Sequence, residues 1–149
     1  MHIVLVEPEI HTNTGNIGRL SLASGSSLHL VKPFGFELTD ARLKRAGLDY
    51  WQHIDLFIYE NFEEFEQRNS DRSMVFLSSK ASRPYTDIQF QKDTMVVFGK
   101  ESSGLDTSIA DKYADALYKI PMFSDKIRSI NLANSVAITV YEGLRQLSP

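Results

Sequence analysis

Six short apolar runs punctuate the chain and constrain its fold more than any other feature. They are His2 to Val6, Leu28 to Val31, Ile54 to Tyr59, Met74 to Leu77, Met95 to Phe98 and Leu117 to Ile120. Each has the length of a strand, and none is long enough for an ordinary helix. Ile3, Val4, Leu5 and Val6 are consecutive, with no polar residue between them. A strand of that kind is covered on both faces, as in a parallel sheet packed between helices. Helical patterns fall between the runs, at Ile17 to Ser24, Ala41 to Ala46, Phe62 to Arg68, Ser108 to Tyr113 and Leu132 to Leu147. The alternation predicts an α/β fold, a mostly parallel sheet flanked by helices.

The chain has 149 residues, with no repeat and no low-complexity linker, so one domain over 1–149 is expected. Punctuation supports the helix assignments. Asp40 is placed to cap the second helix and Gly47 to stop it. Asp106 or Thr107 is placed to cap the fourth, and Ser129 or Asn131 the last. In the last helix Leu132, Val136, Val140 and Leu144 recur every fourth residue, and Ala133, Ala137 and Tyr141 line the next row. So wide an apolar stripe is expected to be buried, against the sheet or a second subunit.

Several functions are excluded. There is no cysteine, hence no disulfide and no thiolate metal site. His2, His11, His29 and His53 show no ligand spacing, and no metal is expected. The start, MHIVLVEPEI, lacks a basic region and a cleavage site, and no apolar run reaches membrane-helix length. A cytoplasmic protein is expected. The formal net charge of −3 argues against a nucleic-acid coat protein but allows a local basic face.

Three segments differ from ordinary core and loop. The first, Asn13-Thr14-Gly15-Asn16-Ile17-Gly18-Arg19-Leu20, follows the first strand. Open α/β sheets bind ligands beyond the carboxyl ends of their strands. Asn and Gly suit a tight turn into a helix, and a capped turn with a solvent-facing arginine would read the same way. The second, Val97-Phe98-Gly99-Lys100-Glu101-Ser102-Ser103-Gly104-Leu105, comes at the end of the fifth run. Its glycines let backbone approach a ligand. It is neither a Walker loop nor a nucleophile elbow. The third runs from Ile120-Pro121-Met122 to Ser129-Ile130-Asn131-Leu132-Ala133-Asn134-Ser135. It holds more Asn and Ser than one helix cap requires.

In this order and spacing the segments resemble the SPOUT class of methyltransferases, most closely its TrmL type. The resemblance rests on EPEI, NTGNIGRL, PFGFELTDARLKRAGLDY, FGKESSGL, IPM and SINLANSVAITVYEGLRQL, and it covers essentially the whole chain. It implies a deep trefoil knot at the C-terminal end, a rare exception to ordinary chain connections. It implies a homodimer with a shared active site and no separate RNA-binding domain. The implied activity is methyl transfer from S-adenosylmethionine to the ribose 2′-hydroxyl of the wobble nucleotide of tRNA, a cytidine or modified uridine. Competing readings are a 2′-O-methyltransferase for another RNA site, a non-catalytic RNA-binding protein of the same fold, and a nucleotide-binding module that ignores RNA.

By motif match, the resemblance places the cofactor on backbone around Leu77, Gly99, Ile120 and Ser129, with Gly104 and Met122 beside it. Arg19 matches the family's catalytic arginine. Asn13, Glu101, Ser129 and Asn131 match its recurring polar positions, and Tyr141 a tyrosine linked to RNA binding or catalysis. Guanidinium groups stay protonated in proteins, so Arg19 is expected to hold a phosphate and developing alkoxide charge rather than act as the base. Relatives often carry threonine or arginine where Ser102 and Ser103 stand, which puts one RNA contact in doubt. The best basic cluster for RNA is Arg42, Lys44 and Arg45, beside Tyr50 and Trp51, although a solvated helix face would look the same. Lys32, Lys100 and Arg128 are weaker candidates.

Overall fold

Seven parallel strands form one sheet in the computed structural model, which describes residues 1–45 and 49–148. The strands are β1 (His2–Val6), β2 (Ser27–Val31), β3 (Leu56–Tyr59), β4 (Met74–Leu77), β5 (Arg83–Pro84), β6 (Met95–Phe98) and β7 (Leu117–Lys119). The helices are α1 (His11–Ser24), α2 (Asp40–Arg45), α3 (Phe62–Arg68), α4 (Thr107–Lys112) and α5 (Leu132–Leu147). The sheet order is β3-β2-β1-β6-β4-β7-β5. From β1 the chain winds outward through β2 to β3, and from β6 it winds the other way. The order therefore switches direction between β1 and β6, where an open α/β sheet leaves a crevice for ligands.

The consecutive apolar residues of β1 divide between two cores. Ile3 and Leu5 pack with Ile17, Leu28, Leu30, Val96, Phe98, Val136 and Val140, under α1 and α5. Val4 and Val6 pack with Val31, Tyr59, Phe65, Phe76, Val97 and Ile109, under α3 and α4. This is the two-faced burial expected of a parallel strand. In α5, Val136 and Val140 are fully buried while Leu132 and Leu144 close the edge of the core. The helix packs along α1 as well as on the sheet. The neighbouring row is graded, with Ala133 against the core and Tyr141 half exposed.

Some boundaries differ from the sequence reading. β3 begins at Leu56, because Ile54 packs under α1 instead. β7 stops at Lys119, and β5 carries no apolar run at all. Thr39, not Asp40, caps α2, its hydroxyl accepting the Arg42 N–H at 3.3 Å. Asp40 lies inside that helix, and the expected stop at Ala46 and Gly47 lies outside the described residues. At α5 the choice falls on Asn131, whose side-chain oxygen accepts the Asn134 N–H. Asp106 precedes α4 without a side-chain cap.

Candidate active site

The largest departure from the sequence reading lies where β1 meets α1. Asn13, Thr14 and Gly15 do not form a turn; they are helical and buried, in an α1 that begins at His11. Ile10 stands at the cap position and offers no side-chain acceptor. The acceptor comes from elsewhere in the chain. Glu101 takes the Glu9 N–H on one carboxylate oxygen at 2.7 Å and the Ile10 N–H on the other at 3.0 Å. A carboxylate at a helix start satisfies free N–H groups and matches the positive end of the helix dipole. Here it also joins the two loops flanking the switch in strand order.

The join is reciprocal. The Glu9 carboxylate accepts the Ser102 N–H at 2.9 Å and its hydroxyl at 2.8 Å. These bonds hold the Glu9 carboxyl below the usual range for a glutamate. Lys100 donates to Glu7 at 3.2 Å, which raises the lysine above its ordinary value. Lys100, a candidate for RNA, is thus already engaged. Glu7 itself sits at a φ of 53°, a left-handed conformation that a side chain rarely adopts. Strain of this kind persists where surrounding contacts over-determine it, and it clusters at functional sites. The sequence contained the signal as EPEI, but Glu7 and Glu9 gained roles only once their partners, more than ninety residues away, were in place.

A chain of hydrogen bonds brings the third segment to the same point. Asn13 donates to Glu101 at 3.4 Å, and Asn131 donates to the Asn13 oxygen at 3.1 Å. Asn131 thus caps α5 and touches α1 with one side chain. Three of the polar positions read from the sequence, Asn13, Glu101 and Asn131, are one cluster.

The proposed cofactor-binding backbone converges as well. Leu77 is in register with Phe98 on one side and Tyr118 on the other. The chain after Leu77, at Gly99 and at Ile120 therefore leaves three adjoining strands at one edge. Such an edge offers carbonyl and N–H groups at nearly the same height, which suits hydrogen bonding to a flat nucleoside. The loop after β6 is tightly folded, with Gly104 N–H donating to Lys100 O at 2.8 Å. A Cβ on Gly99 would fall 2.1 Å from the Gly104 carbonyl carbon, so no other residue fits there without moving the loop. Gly104 is exposed at a φ of 70°, with Met122 half buried in the third segment.

Other expected site residues stand apart. Arg19 and Ser129 are exposed, and among the described residues neither side chain has a hydrogen bond or ion pair. Arg19 lies six residues beyond Asn13, roughly 120° around the helix from it. Tyr141 is half exposed on α5. Arg42 is exposed and paired with Glu37 at 3.5 Å, Arg45 donates to Ala41 O at 3.3 Å, and Arg128 is exposed. The Lys44 side chain lies outside the described part. Lys32 pairs with Glu60.

Tyr50 and Trp51 are not free to stack on bases. Trp51 is buried against Gly18, where a Cβ would lie 2.6 Å from its ring, and the Tyr50 hydroxyl donates to Gly15 O at 2.9 Å. Burial raises the Tyr50 pKa, while the nearby Arg19 guanidinium acts to lower it. Both aromatics serve to seat α1. Among the described residues, no group of three His, Asp or Glu side chains is placed to hold a metal ion, and no helix is long and apolar enough to cross a membrane.

An all-parallel sheet with a polar cluster at its switch point defines an open α/β domain built to bind a ligand at its carboxyl edge. The chain belongs to the SpoU rRNA Methylase family, whose model matches residues 1–141. It is 44% identical over 145 residues to a tRNA (cytidine(34)-2′-O)-methyltransferase of Methylovorus glucosotrophus (strain SIP3-4), covering 97% of this chain and 94% of that one. A solved structure described as giving insights into the 2-OH methylation of C/U34 on tRNA is 39% identical, with a TM-score of 0.91 over 99% of this chain and 95% of its own. An AdoMet-bound rRNA methyltransferase of Sinorhizobium meliloti shares the fold at 24% identity and a TM-score of 0.86, covering 99% of this chain and 57% of its own.

Proposed function

We propose that this protein transfers a methyl group from S-adenosylmethionine to the ribose 2′-hydroxyl of nucleotide 34 of tRNA, a cytidine or modified uridine. The observation that carries this reading is the 44% identity, over nearly the full length of both chains, to a relative named for that reaction. The cluster joining Glu101, Asn13 and Asn131 supports it, since it ties all three motif segments to one crevice.

The backbone at Leu77, Gly99, Ile120 and Ser129 holds the cofactor in this reading, with Gly104 and Met122 beside it. Once bound, the cofactor supplies a sulfonium methyl that is electrophilic without a metal. The protein's main task is then to align that methyl with the attacking oxygen, and alignment of this kind is worth on the order of 7–11 kcal/mol. Glu101 has both oxygens occupied by N–H donors, which favours a holding role over proton transfer. Arg19 holds the phosphate beside the reacting ribose and stabilises charge developing on the 2′-oxygen. Tyr141 contacts RNA or assists the reaction. Arg42, Lys44, Arg45 and Arg128 contact phosphates.

The proposed assembly is a homodimer with shared sites. Its support is that Arg19 faces away from Asn13, together with the exposed apolar side chains Leu22, Ile138 and Tyr141 on the packed pair α1 and α5. The C-terminal end carries the deep trefoil knot of the resemblance, and the place of work is the cytoplasm, where tRNA is.

Calorimetric titration with S-adenosylhomocysteine, with ATP and NAD as controls, is followed by mapping of 2′-O-methyl groups in tRNA incubated with the protein. Selective binding of the homocysteine compound and a new methyl group at position 34 are expected. A folded protein that binds no S-adenosylhomocysteine overturns the proposal, and methylation at another site redirects it.

A further inference from the structure

The segment between β7 and α5 holds the most exposed large apolar side chain of the molecule's described part. Phe123 is 99% exposed. Ile127, four residues on, is 55% exposed, and every residue from Phe123 to Ser129 is exposed. An aromatic ring left wholly in water contributes nothing to folding, and an isolated one at a binding site is a stacking surface. The segment's position gives the ring a use. It begins at Ile120 and Met122, beside the strand ends proposed to hold the cofactor. It ends at Asn131, which is hydrogen-bonded to Asn13 in the polar cluster. A ribose brought to that crevice has a base attached, and the base needs a partner for its flat face.

The charges around Phe123 favour a nucleic acid over an apolar partner. Lys126 and Arg128 are both exposed. Lys126 has only a loose contact with Asp125, at 3.8 Å between two side chains almost wholly in solvent. Such a pair is worth little and leaves the ammonium free for a phosphate. Two cations and an aromatic within six residues provide what single-stranded RNA asks of a binding surface, a π-face for a base and positive charge for the backbone.

We infer that Phe123 is the stacking platform for a base of the single-stranded RNA substrate, at or next to the methylated nucleotide, with Lys126 and Arg128 holding the adjoining phosphates. The inference rests on the proposed function and adds to it a residue that recognises RNA. It assigns Phe123 no part in the chemistry and none in cofactor binding.

The test compares Phe123→Ala, Phe123→Leu, Phe123→Tyr and Phe123→Trp in the full chain, with a synthetic anticodon stem-loop RNA as probe. Because Phe123 packs on nothing, all four are expected to fold. Stacking predicts that Ala and Leu weaken RNA binding by about 5- to 150-fold, the worth of one stacked base. Tyr and Trp should restore it, and affinity for S-adenosylhomocysteine should stay within twofold throughout. Lys126→Ala and Arg128→Ala should each lower the slope of log affinity against log salt by about 0.7. Leu binding RNA as well as Phe, a fall in cofactor affinity, or a change in sedimentation would each overturn the inference, in the last two cases by showing that the ring covers the cofactor or a second subunit. If the wild-type protein methylates RNA and the variants are silent, only this inference fails. If the wild-type protein binds no RNA, the proposed function fails with it.

Discussion

At its amino end β1 sets His2 against His29; at its carboxyl end it runs into Glu7, Glu9 and the Glu101 loop. Both ends are polar, but they treat charge in opposite ways. At the amino end Arg72 donates to His2 Nε2 at 2.6 Å, His2 Nδ1 lies 3.0 Å from His29 Nε2, and His29 Nδ1 lies 2.8 Å from the Tyr59 hydroxyl. Arg72 has only protons to give, so the line of donors runs from Arg72 through two neutral imidazoles to Tyr59. The His29 ring is stacked on Phe57, and Phe65 packs edge-on against it. At the carboxyl end, by contrast, each carboxylate faces N–H, O–H or ammonium donors near water. A buried neutral imidazole such as His29, satisfied on both nitrogens, stabilises a fold, whereas paired charges at an accessible edge can be re-paired with a ligand. The comparison therefore predicts that the two ends fail differently when disturbed.

Chemistry should fail first on the side of the crevice, and without loss of fold. Arg19 is exposed and holds nothing together among the described residues. Arg19→Ala is expected to lower turnover at least about 100-fold, the scale seen when one electrostatic stabiliser of a transition state is removed. Melting temperature and S-adenosylhomocysteine affinity should barely move. Single-turnover methylation alongside calorimetry checks this. A mutant with normal turnover, or with lost cofactor affinity, would show that the arginine has another role.

Stability should fail first at the other end, and through pH. Burial, helped by His2 and Arg72 nearby, pushes the His29 pKa down to about 3, while an unfolded histidine titrates near 6.5. The folded pKa is the lower one, so the unfolded state takes up the proton more readily between those values. The stabilising effect of a neutral His29 is complete above about pH 6.5 and is lost as pH falls toward 3. Between pH 7.5 and 5 the loss from this residue is about 2 kcal/mol. The groups facing it include Phe57, Tyr59, Phe65, His2, Arg72 and Arg68, with Asp55 the one acid acting the other way. Urea unfolding at the two pH values, repeated with His29→Gln, measures this loss. An equal pH dependence in the mutant would assign the effect elsewhere.

The two ends also differed in how far the sequence could reveal them. The strands β1, β4 and β6 and the helices α3 and α5 begin and end where the apolar pattern says, because burial on the sheet decides those residues. The start of α1 could not be read that way. Its cap is Glu101, and no local rule brings a carboxylate from ninety-one residues downstream. Nor could the pattern place Trp51 in the core, since that depends on the gap that Gly18 leaves. β5 escaped because Arg83-Pro84 pairs at the sheet edge through very few backbone bonds and carries no apolar run. The family resemblance nevertheless pointed to Asn13, Glu101, Ser129 and Asn131 as a set, and all of these but Ser129 meet in one cluster. What the sequence lacked was the strand order, which alone says that the loops after β1 and β6 are neighbours.

The finest test of the comparison is Glu9→Gln, where little is removed but the charge. Gln keeps the size of the side chain and one acceptor oxygen. It can accept the Ser102 N–H on that oxygen, but the hydroxyl must turn round and accept from the amide NH2, where the carboxylate accepts both at 2.9 and 2.8 Å. One oxygen remains, and its bonds lose the extra strength that an ionised acceptor gives. The loop from Gly99 to Gly104 should then be held less firmly against the start of α1, with Glu101 still in place on its two backbone N–H donors and Asn13. If that loop helps to hold the cofactor, affinity for S-adenosylhomocysteine should fall by about two- to fivefold, the scale of one weakened hydrogen bond. Unfolding in urea should shift little, because the bond lies at the surface. Glu9→Asp, one methylene short but still ionised, separates reach from charge. Weakened affinity in Gln with normal affinity in Asp would assign the effect to charge. Unchanged affinity in both would mean that the clasp is not needed to hold the cofactor, and that Glu101 alone organises this end of β1.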